Sequence, residues 1–330
     1  MRFIRPITCT IAASIVFFST GELASAQTLA GFRFQVDNDY FDFWIPSHDR
    51  PDDDYTHGAV MRAVFNSAPH WARGRRADCA SAQPSPEKAV GCAQTFLGLF
   101  QEIFTPPHDS TMPIPGERPY AGVLAAEIGE RVIEPRAMRV MSLRFGTTGR
   151  PSGAEAAQKA FHHLADLRRP QGWDHQVKTQ PVIGLTYGTQ YILAPGKAAR
   201  NSAVMVLAGA SGAATNVKSG VNARLEARAG YNIPHPWLPS TRSGRRQLHG
   251  YLILGSGEEW VARNVLLEGN SPSTSGLVTK KPFVFESVWG LAFGSGDLFL
   301  EYRAVSHSRE YETSPNWHRW GAISLIRGTP

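Results

Sequence analysis

The sequence predicts an all-β fold, a twelve-stranded antiparallel transmembrane β-barrel with one short helix in an external loop. From Gly31 onwards, stretches in which apolar and polar residues alternate are separated by turn residues, and this period of two is typical of half-buried strands. No apolar run beyond the N-terminus is long enough for a membrane helix, since the best, residues 203–214, is broken by Gly209 and Gly212. A closed barrel is the other way to satisfy backbone hydrogen bonds inside a bilayer.

The N-terminus has the pattern of a secretion signal. A positively charged start and a short apolar segment, Ile11 to Phe18, precede the small-residue motif Ala24-Ser25-Ala26. This pattern predicts a cleaved signal peptide over residues 1–26, followed by a single barrel domain over residues 27–330. An uncleaved anchor helix is disfavoured because the apolar segment is too short to span a bilayer.

Cysteine usage agrees with export. Cys9 is removed with the signal, which leaves Cys79 and Cys92 in a segment rich in Gly, Pro and Ser. A disulfide between them is favoured over a metal site because there is no C-x-x-C motif and no matched pair of histidines. The alternative, two unpaired thiols, is disfavoured in an oxidising compartment.

The charge of the chain limits its partners. The formal net charge of the 330 residues is +6, which suits an anionic surface such as that of phosphorylated lipids. No run of basic residues of the kind found in nucleic-acid-binding proteins occurs, so we assign no nucleic-acid partner. We expect a monomer.

The first predicted strand shows the alternation most clearly. Phe32, Phe34 and Val36 share one face, and Arg33 with the polar residues that follow at alternate positions shares the other. Apolar-out and polar-in is the pattern of a barrel strand in lipid, although a soluble periplasmic β-sandwich shows the same alternation. The predicted strands cover residues 32–40, 55–66, 94–104, 120–132, 138–145, 176–191, 202–213, 217–231, 248–261, 282–293, 298–307 and 317–326.

The period changes between the fifth and sixth strands. Ser152-x-x-Glu155 reads as a helix capping box, and residues 154–169 carry apolar side chains at helical spacing, including Leu164 and Leu167. Pro170 ends the predicted helix. Gln158 and His162 are four residues apart, so they point the same way. A single helix inserted into a long loop between strands is where function is expected to concentrate.

Six short motifs in order resemble the outer-membrane lipid A 3′-O-deacylase family. Each motif is weak alone, but the order and approximate spacing are kept as far as Trp173. The motifs are Val36-Asp37-Asn38-Asp39, Asp54-Tyr55-Thr56-His57-Gly58, Gln101-Glu102-Ile103-Phe104, Gly116-Glu117-Arg118-Pro119-Tyr120-Ala121-Gly122, Gln158-x-x-x-His162 and Pro170-Gln171-Gly172-Trp173.

The resemblance implies a function and a site. It implies a calcium-dependent hydrolase of the Gram-negative outer membrane, which removes the ester-linked 3′-acyloxyacyl chain from the lipid A of lipopolysaccharide. The site would lie at the outer rim, between the barrel wall and the helix. The implied catalytic residues are Asn38, Asp39, Thr56, Gln158 and His162, and the implied calcium ligands are Asp39 and Thr56.

The chemistry of these residue types agrees with that implication. His162 could take a proton from water as a general base. Asp39 could orient the reacting groups or bind calcium, which prefers oxygen ligands. In regular strand geometry, however, Asn38 and Asp39 would point to opposite faces. Both can serve one site only if the strand bulges there or the site straddles the rim.

Several other interpretations are open at this point. Asn38-Asp39 is also ordinary turn chemistry after a strand. His163 could replace His162 as the base, and Asp37 could be the functional acid instead of Asp39. The run 52–54 of aspartates has no EF-hand spacing and reads as a solvated loop.

The sequence departs from the expected pattern in its basic residues. Residues 105–117 contain no Lys or Arg, although basic groups that bind lipid A phosphates are expected there. Arg118, Arg168 and Arg169 are the remaining candidates for that role. Arg168 also occupies a position where a carboxylate is expected, so a calcium-binding role could shift to Asp166.

Two other functions compete with the lipid A hydrolase. An outer-membrane phospholipase with a Ser nucleophile ranks lower because no G-x-S-x-G motif occurs. A non-enzymatic barrel, a pore or structural protein, predicts a lumen open to water. A zinc hydrolase is not supported because H-E-x-x-H is absent.

Overall fold

The computed structural model describes residues 29–43, 54–66, 77–79, 91–197, 202–237 and 247–328. The predicted signal peptide lies outside the described residues. The strands are β1 (Leu29–Asn38), β2 (Asp54–Phe65), β3 (Ala77–Asp78), β4 (Cys92–Thr105), β5 (Ala121–Ile133), β6 (Ala137–Thr148), β7 (Pro181–Lys197), β8 (Ser202–Thr215), β9 (Lys218–Tyr231), β10 (Leu248–Asn264), β11 (Phe283–Ser295), β12 (Leu298–Ser308) and β13 (Trp317–Gly328), and the helices are α1 (Ala154–Leu164) and α2 (Val265–Glu268).

Twelve of these strands form a closed antiparallel barrel in chain order. The first and last strands pair from Gly31 opposite Gly328 to Asn38 opposite Gly321, and this pairing closes the cylinder. The two-residue β3 is extra: it adds in parallel to the start of β4, while β2 pairs directly with β4. The predicted twelve-stranded barrel with a short external helix is therefore confirmed.

The strand alternation places apolar groups outside and charged groups inside. On β6, Leu143 and Phe145 are more than half exposed, while Arg144 between them points into the lumen and ion-pairs with Glu127 of β5. On β1, Phe34 faces outward and Arg33 faces inward. This is the arrangement of a barrel wall in lipid. None of the helices in the described part of the chain is long and apolar enough to cross a membrane.

Ion pairs cross the lumen. Glu226 on β9 binds Arg228 and Arg303, each at 2.7 Å, and Arg303 on β12 also binds Glu301 at 2.8 Å. Glu301 in turn pairs with Arg33 on β1 at 3.1 Å. Two cavities, of about 500 and 320 Å³, lie along the barrel interior. A lumen crossed by interlocked charges does not favour an open pore.

The two ends of the barrel differ. At the end where the described chain begins and finishes, β5 joins β6 through residues 134–136, and β11 joins β12 through residues 296–297. At the opposite end β6 joins β7 through residues 149–180, which include α1. Barrels of this type have short periplasmic turns and longer external loops, so the helix marks the external end.

The disulfide lies at the periplasmic end. Cys79 and Cys92 are joined with an S–S distance of 1.97 Å, and Cys92 begins β4 opposite Ile133. The buried ring of Trp237, in the connection after β9, packs into the same apolar cluster. The disulfide therefore braces the end of the barrel that is remote from α1.

Candidate active site

Helix α1 lies against the outside of the barrel wall at the external rim. Phe100 and Glu102 line the lumen. Because side chains alternate along a strand, Gln101 and Ile103 of β4 face outward. Gln101 donates through Nε2 to the Ser152 carbonyl at 2.6 Å, and Ile103 packs with Ala154 of the helix. The helix is thus fixed to outward-facing side chains of β4.

The start of the helix differs from the prediction. Gly153, at a positive φ of 70°, is the N-cap residue and has no side-chain cap. The Ser152 hydroxyl instead donates to the Gly149 carbonyl at 2.6 Å, and Glu155 pairs with Lys159. The predicted capping box is therefore wrong, because Ser152 belongs to a 3-10 turn, Arg150–Ser152, that precedes the helix.

The helix also ends earlier, at Leu164 rather than at Arg169. Asp166 adopts a positive φ of 55°, which turns the chain back over the last helical turn. This brings the Arg168 carbonyl into hydrogen-bonding contact with His162 Nδ1. Since that carbonyl can only accept, Nδ1 carries the proton and Nε2 is the basic nitrogen.

The buried face of the helix is polar. Gln158 and His162 are each 3% exposed, whereas Leu164 of the predicted apolar stripe is 74% exposed. His163 points to solvent. The helix therefore presents its amide and imidazole to the barrel, and His162 rather than His163 is the candidate base.

Trp173 orients Gln158. The indole Nε1 donates to Gln158 Oε1 at 2.8 Å, and the indole ring packs on Tyr120 with the ring centroids 5.0 Å apart. Because indole nitrogen can only donate, the amide oxygen must face it, and the NH₂ group of Gln158 is left for the site. The sequence identified the Pro170–Trp173 motif but did not assign this role.

At the rim, β1 ends and turns. Asn38 is the last strand residue, and Asp39 begins a 3-10 turn, Asp39–Phe41, capped by the Asn38 side chain, which accepts from Tyr40 N at 2.9 Å. Asn38 and Asp39 are 1% and 3% exposed. The turn removes the conflict of opposite strand faces, because Asp39 is no longer in strand geometry.

Thr56 lies in a β-bulge. Tyr55 pairs with Phe104 and His57 with Ile103, so Thr56 is the extra residue on β2. Its carbonyl accepts from Asn38 Nδ2 at 2.9 Å, and its hydroxyl lies 2.6 Å from that of Thr105. The bulge brings Thr56 to the same part of the rim as the end of β1.

A hydrogen bond inside the lumen fixes Tyr55 and Asp37, which lie next to the rim residues. The Tyr55 hydroxyl donates to Asp37 at 2.9 Å, and Gly58 makes room for it, since a Cβ there would lie 1.8 Å from the hydroxyl oxygen. Asp37 therefore points into the barrel and is bound there, and Asp39 is the acid at the rim. Residues 52–53 lie outside the described residues, and Asp54 is buried.

The ring of Phe161 joins the two halves of the site. It lies 6.3 Å from the ring of Tyr40, which follows Asp39, and 6.2 Å from the imidazole of His57, which follows Thr56. His162 is the next residue of the helix. The helix and the rim turn are thus packed against each other on one side of the barrel.

Comparison with known proteins identifies the family. A sequence model of the family described as outer membrane protein LpxR matches residues 7–328. The chain belongs to the LpxR family. This confirms the resemblance that the six motifs indicated. Among curated protein sequences, no match is found.

Solved structures resemble this LpxR-family chain to different degrees. LpxR from Salmonella typhimurium is similar with a TM-score of 0.70 at 14% identity, over 90% of this chain and 99% of that one. The β domain of the Bordetella autotransporter BrkA gives a TM-score of 0.44 at 11% identity, over 91% and 100% of the two chains. The first likeness supports the twelve-stranded barrel.

Arg118 has a different environment from the one a phosphate-binding residue needs. Its side chain is fully buried in this LpxR-family barrel and binds Glu310 at 3.0 Å and Asp54 at 3.4 Å. Tyr311 also donates to Asp54 at 3.1 Å, and the guanidinium stacks on Phe104. Arg118 thus cannot reach an external ligand in this conformation. It links the loop before β5 to the start of β2 and to the loop before β13.

Replacing Arg118 is expected to destabilise the barrel. Burial, the largest single effect, would raise the pKa of Glu310, but the Arg118 guanidinium and the weaker effects of other cationic groups together lower that pKa. Arg118→Met removes the cationic partner of the buried Asp54 and of the partly buried Glu310, which should cost about 3–5 kcal/mol at neutral pH. The free energy of unfolding in urea measures this.

The pH dependence tests the cause. A carboxyl whose pKa is lowered on folding stabilises above its unfolded pKa, and that contribution disappears as the pH falls through the folded pKa. The cost of Arg118→Met should therefore shrink in acid. An equal cost at every pH would contradict the ion-pair explanation.

Arg168 and Arg169 are the exposed arginines near the site. Arg168 is 3.5 Å from the Asp109 carboxylate, and Asp109 also accepts from Tyr120 OH at 3.1 Å and from Gln171 N at 2.7 Å. Asp109, which no motif indicated, ties the loop before β5 to the segment after α1. The side chains of both arginines remain accessible to an external anion.

The predicted calcium ligands have oxygen donors, as calcium requires. Asp39 offers a carboxylate and Thr56 a carbonyl and a hydroxyl, and the Asn38–Thr56 hydrogen bond connects their two strands. Within the described ranges, no group of three or more His, Cys, Asp or Glu side chains is placed to hold a metal ion. The residues therefore fit a calcium ion in donor type, with carbonyls and water completing its coordination.

Proposed function

We propose that this LpxR-family protein hydrolyses the ester that links the 3′-acyloxyacyl chain to lipid A, with water activated by His162. The observation that carries the proposal is the environment of that imidazole. Its Nδ1 is occupied by the Arg168 carbonyl, its face is buried, and the helix packs through Phe161 on the rim turn. An imidazole whose Nδ1 is held in this way can accept a proton at Nε2 and so act as a general base.

The reaction follows from these groups. Nε2 of His162 takes a proton from water, and the resulting hydroxide attacks the ester carbonyl carbon to form a tetrahedral intermediate. Collapse breaks the bond between that carbon and the sugar oxygen, which takes the proton back from the imidazolium. The products are a fatty acid and a free sugar hydroxyl, so atoms and charges balance. The Gln158 amide would donate to the oxyanion.

The position of α1 supports a lipid substrate. The helix lies outside the barrel wall, over outward-facing residues such as Gln101 and Ile103. In this proposal the acyl chain of lipid A lies in the outer leaflet beside the wall and the helix. Arg168 and Arg169 at the end of the helix segment would contact its phosphates, a role that Arg118 cannot fill in this conformation.

Calcium completes the proposal. Asp39 and Thr56 would hold the ion, which when bound would supply Lewis-acid polarisation of the ester carbonyl. The protein's own part is to bring a carboxylate and a backbone carbonyl to one rim by means of the β1 turn and the β2 bulge.

Removal of calcium is expected to stop turnover. Purified protein in detergent with lipid A should lose activity in EGTA and regain it with added calcium, because the carbonyl loses its polarisation. Mass spectrometry of the lipid A and of the released acid measures this. Full turnover in EGTA would remove the metal from the proposal, whereas no turnover under any condition would reject the ester hydrolase itself.

A further inference from the structure

His57 is an imidazole at the site to which no motif or mechanism gives a role. Val60 and Arg62 line the lumen, so by strand alternation His57 faces outward. It pairs directly with Asn38 on one side and with Ile103 on the other. Cross-strand partners on one face have adjacent side chains. His57 therefore belongs to the part of the wall that α1 covers.

The surroundings of the imidazole are apolar on the helix side. Its ring lies 6.2 Å from the ring of Phe161, which is itself 6.4 Å from the imidazole of His162. Both histidines thus contact the same helix residue, one from the barrel wall and one from the helix. This places His57 beside the candidate base, on the face of the wall where the substrate would bind.

One nitrogen of His57 has an unusual environment. Nδ1 is buried and has no hydrogen-bond partner among the residues that the structure describes. A buried polar atom without a partner costs free energy, and most such atoms in folded proteins are paired. A phenylalanine would fill the same space without that cost. The stability of the free protein therefore does not explain why a histidine occupies this position.

We propose that His57 is a substrate-binding residue, whose Nδ1 hydrogen-bonds an ester, amide or hydroxyl group of the acylated sugar beside the scissile bond. An imidazole nitrogen can donate or accept, so it suits any of these groups. The inference rests on the proposed function, because it takes the substrate to be an acylated glycolipid. When the ligand binds, Nδ1 gains a hydrogen-bond partner. A ligand with an ester, amide or hydroxyl group at this point should therefore bind more tightly than one without it.

The test replaces His57 with an apolar ring of similar size. His57→Phe should raise KM about tenfold or more, with a much smaller change in kcat, since the lost hydrogen bond serves binding. Its Tm should stay equal or rise, because the unpaired atom is gone. His57→Gln should restore part of the affinity. The same loss should appear in lipid A binding when both variants also carry His162→Ala and cannot turn over.

A second buried histidine provides the matched control. His249 on β10 also has an unpaired buried nitrogen, Nε2, and packs on Phe299 at 5.1 Å, but it lies near the periplasmic end. His249→Phe should leave KM unchanged. An unchanged KM in His57→Phe, with or without a lower Tm, would overturn the inference. If the wild-type protein does not hydrolyse lipid A at all, the proposed function fails instead, and the two failures are distinguishable.

Discussion

His162→Ala is expected to lower ester hydrolysis by about a hundred- to ten-thousandfold, the usual contribution of a general base. The imidazole is held by the Arg168 carbonyl and is buried against the barrel wall, so the variant removes the proton acceptor that the helix presents to the site. The rate of acid release from purified protein measures the effect. Mass spectrometry of lipid A from cells that express the variant measures it in the membrane.

The control is the next residue. His163 lies on the same helix turn but points to solvent, so His163→Ala should keep nearly full activity. Both variants should show the heat-dependent gel migration of a folded barrel, because neither side chain belongs to the wall. Unchanged hydrolysis in His162→Ala would reject the assignment of the base.

Gly122→Ala is expected to lower kcat/KM by about a hundredfold, the scale for a displacement of around 1 Å in a catalytic group. Gly122 faces outward on β5 beneath the start of α1. A Cβ there would lie 2.2 Å from Ala154 Cβ and 2.5 Å from Ser152 Oγ, so the helix must move away from the wall. The barrel should remain folded, because the helix lies outside it. Activity and thermal unfolding are measured together.

Two further variants show whether the displacement is the cause. Gly250→Ala on β10 adds a methyl group whose nearest neighbour is 3.6 Å away, so it should change neither property. Ala154→Gly removes one partner of the clash and should restore part of the activity of Gly122→Ala. Full activity of Gly122→Ala alone would show that the helix position is not critical.

The barrel could be predicted because its evidence is local. The alternation within a strand can be read from consecutive residues: Phe34 faces outward and its neighbour Arg33 faces inward. Each strand shows this alternation independently of the others. Boundaries were less predictable: the strand predicted from residue 176 begins at Pro181. There, Gln176 and Val177 bond instead to Trp173 and Tyr120, in a segment that belongs to the site.

The geometry of the site could not be predicted, because it depends on contacts between distant residues. The bulge at Thr56 is accompanied by the bond from Tyr55 to Asp37 in the lumen. The helix ends early because Asp166 reverses the chain, and Ser152 leaves its expected cap to bond Gly149. Each departure from local preference lies at the site, where tertiary contacts outweigh it.

The sequence by itself determined the twelve-stranded barrel and the outward face of its first strand, because alternation is a property of short segments, and its motifs indicated the family and the candidate site residues. Only the tertiary structure decided that Arg118 is a buried anchor and that His162 is oriented by a backbone carbonyl. It also placed on the outer wall, beside the helix, a buried nitrogen of His57 that has no hydrogen-bond partner among the described residues. The burial and the hydrogen bonds of a side chain depend on how the whole chain packs. They cannot be read from the neighbouring residues in the sequence.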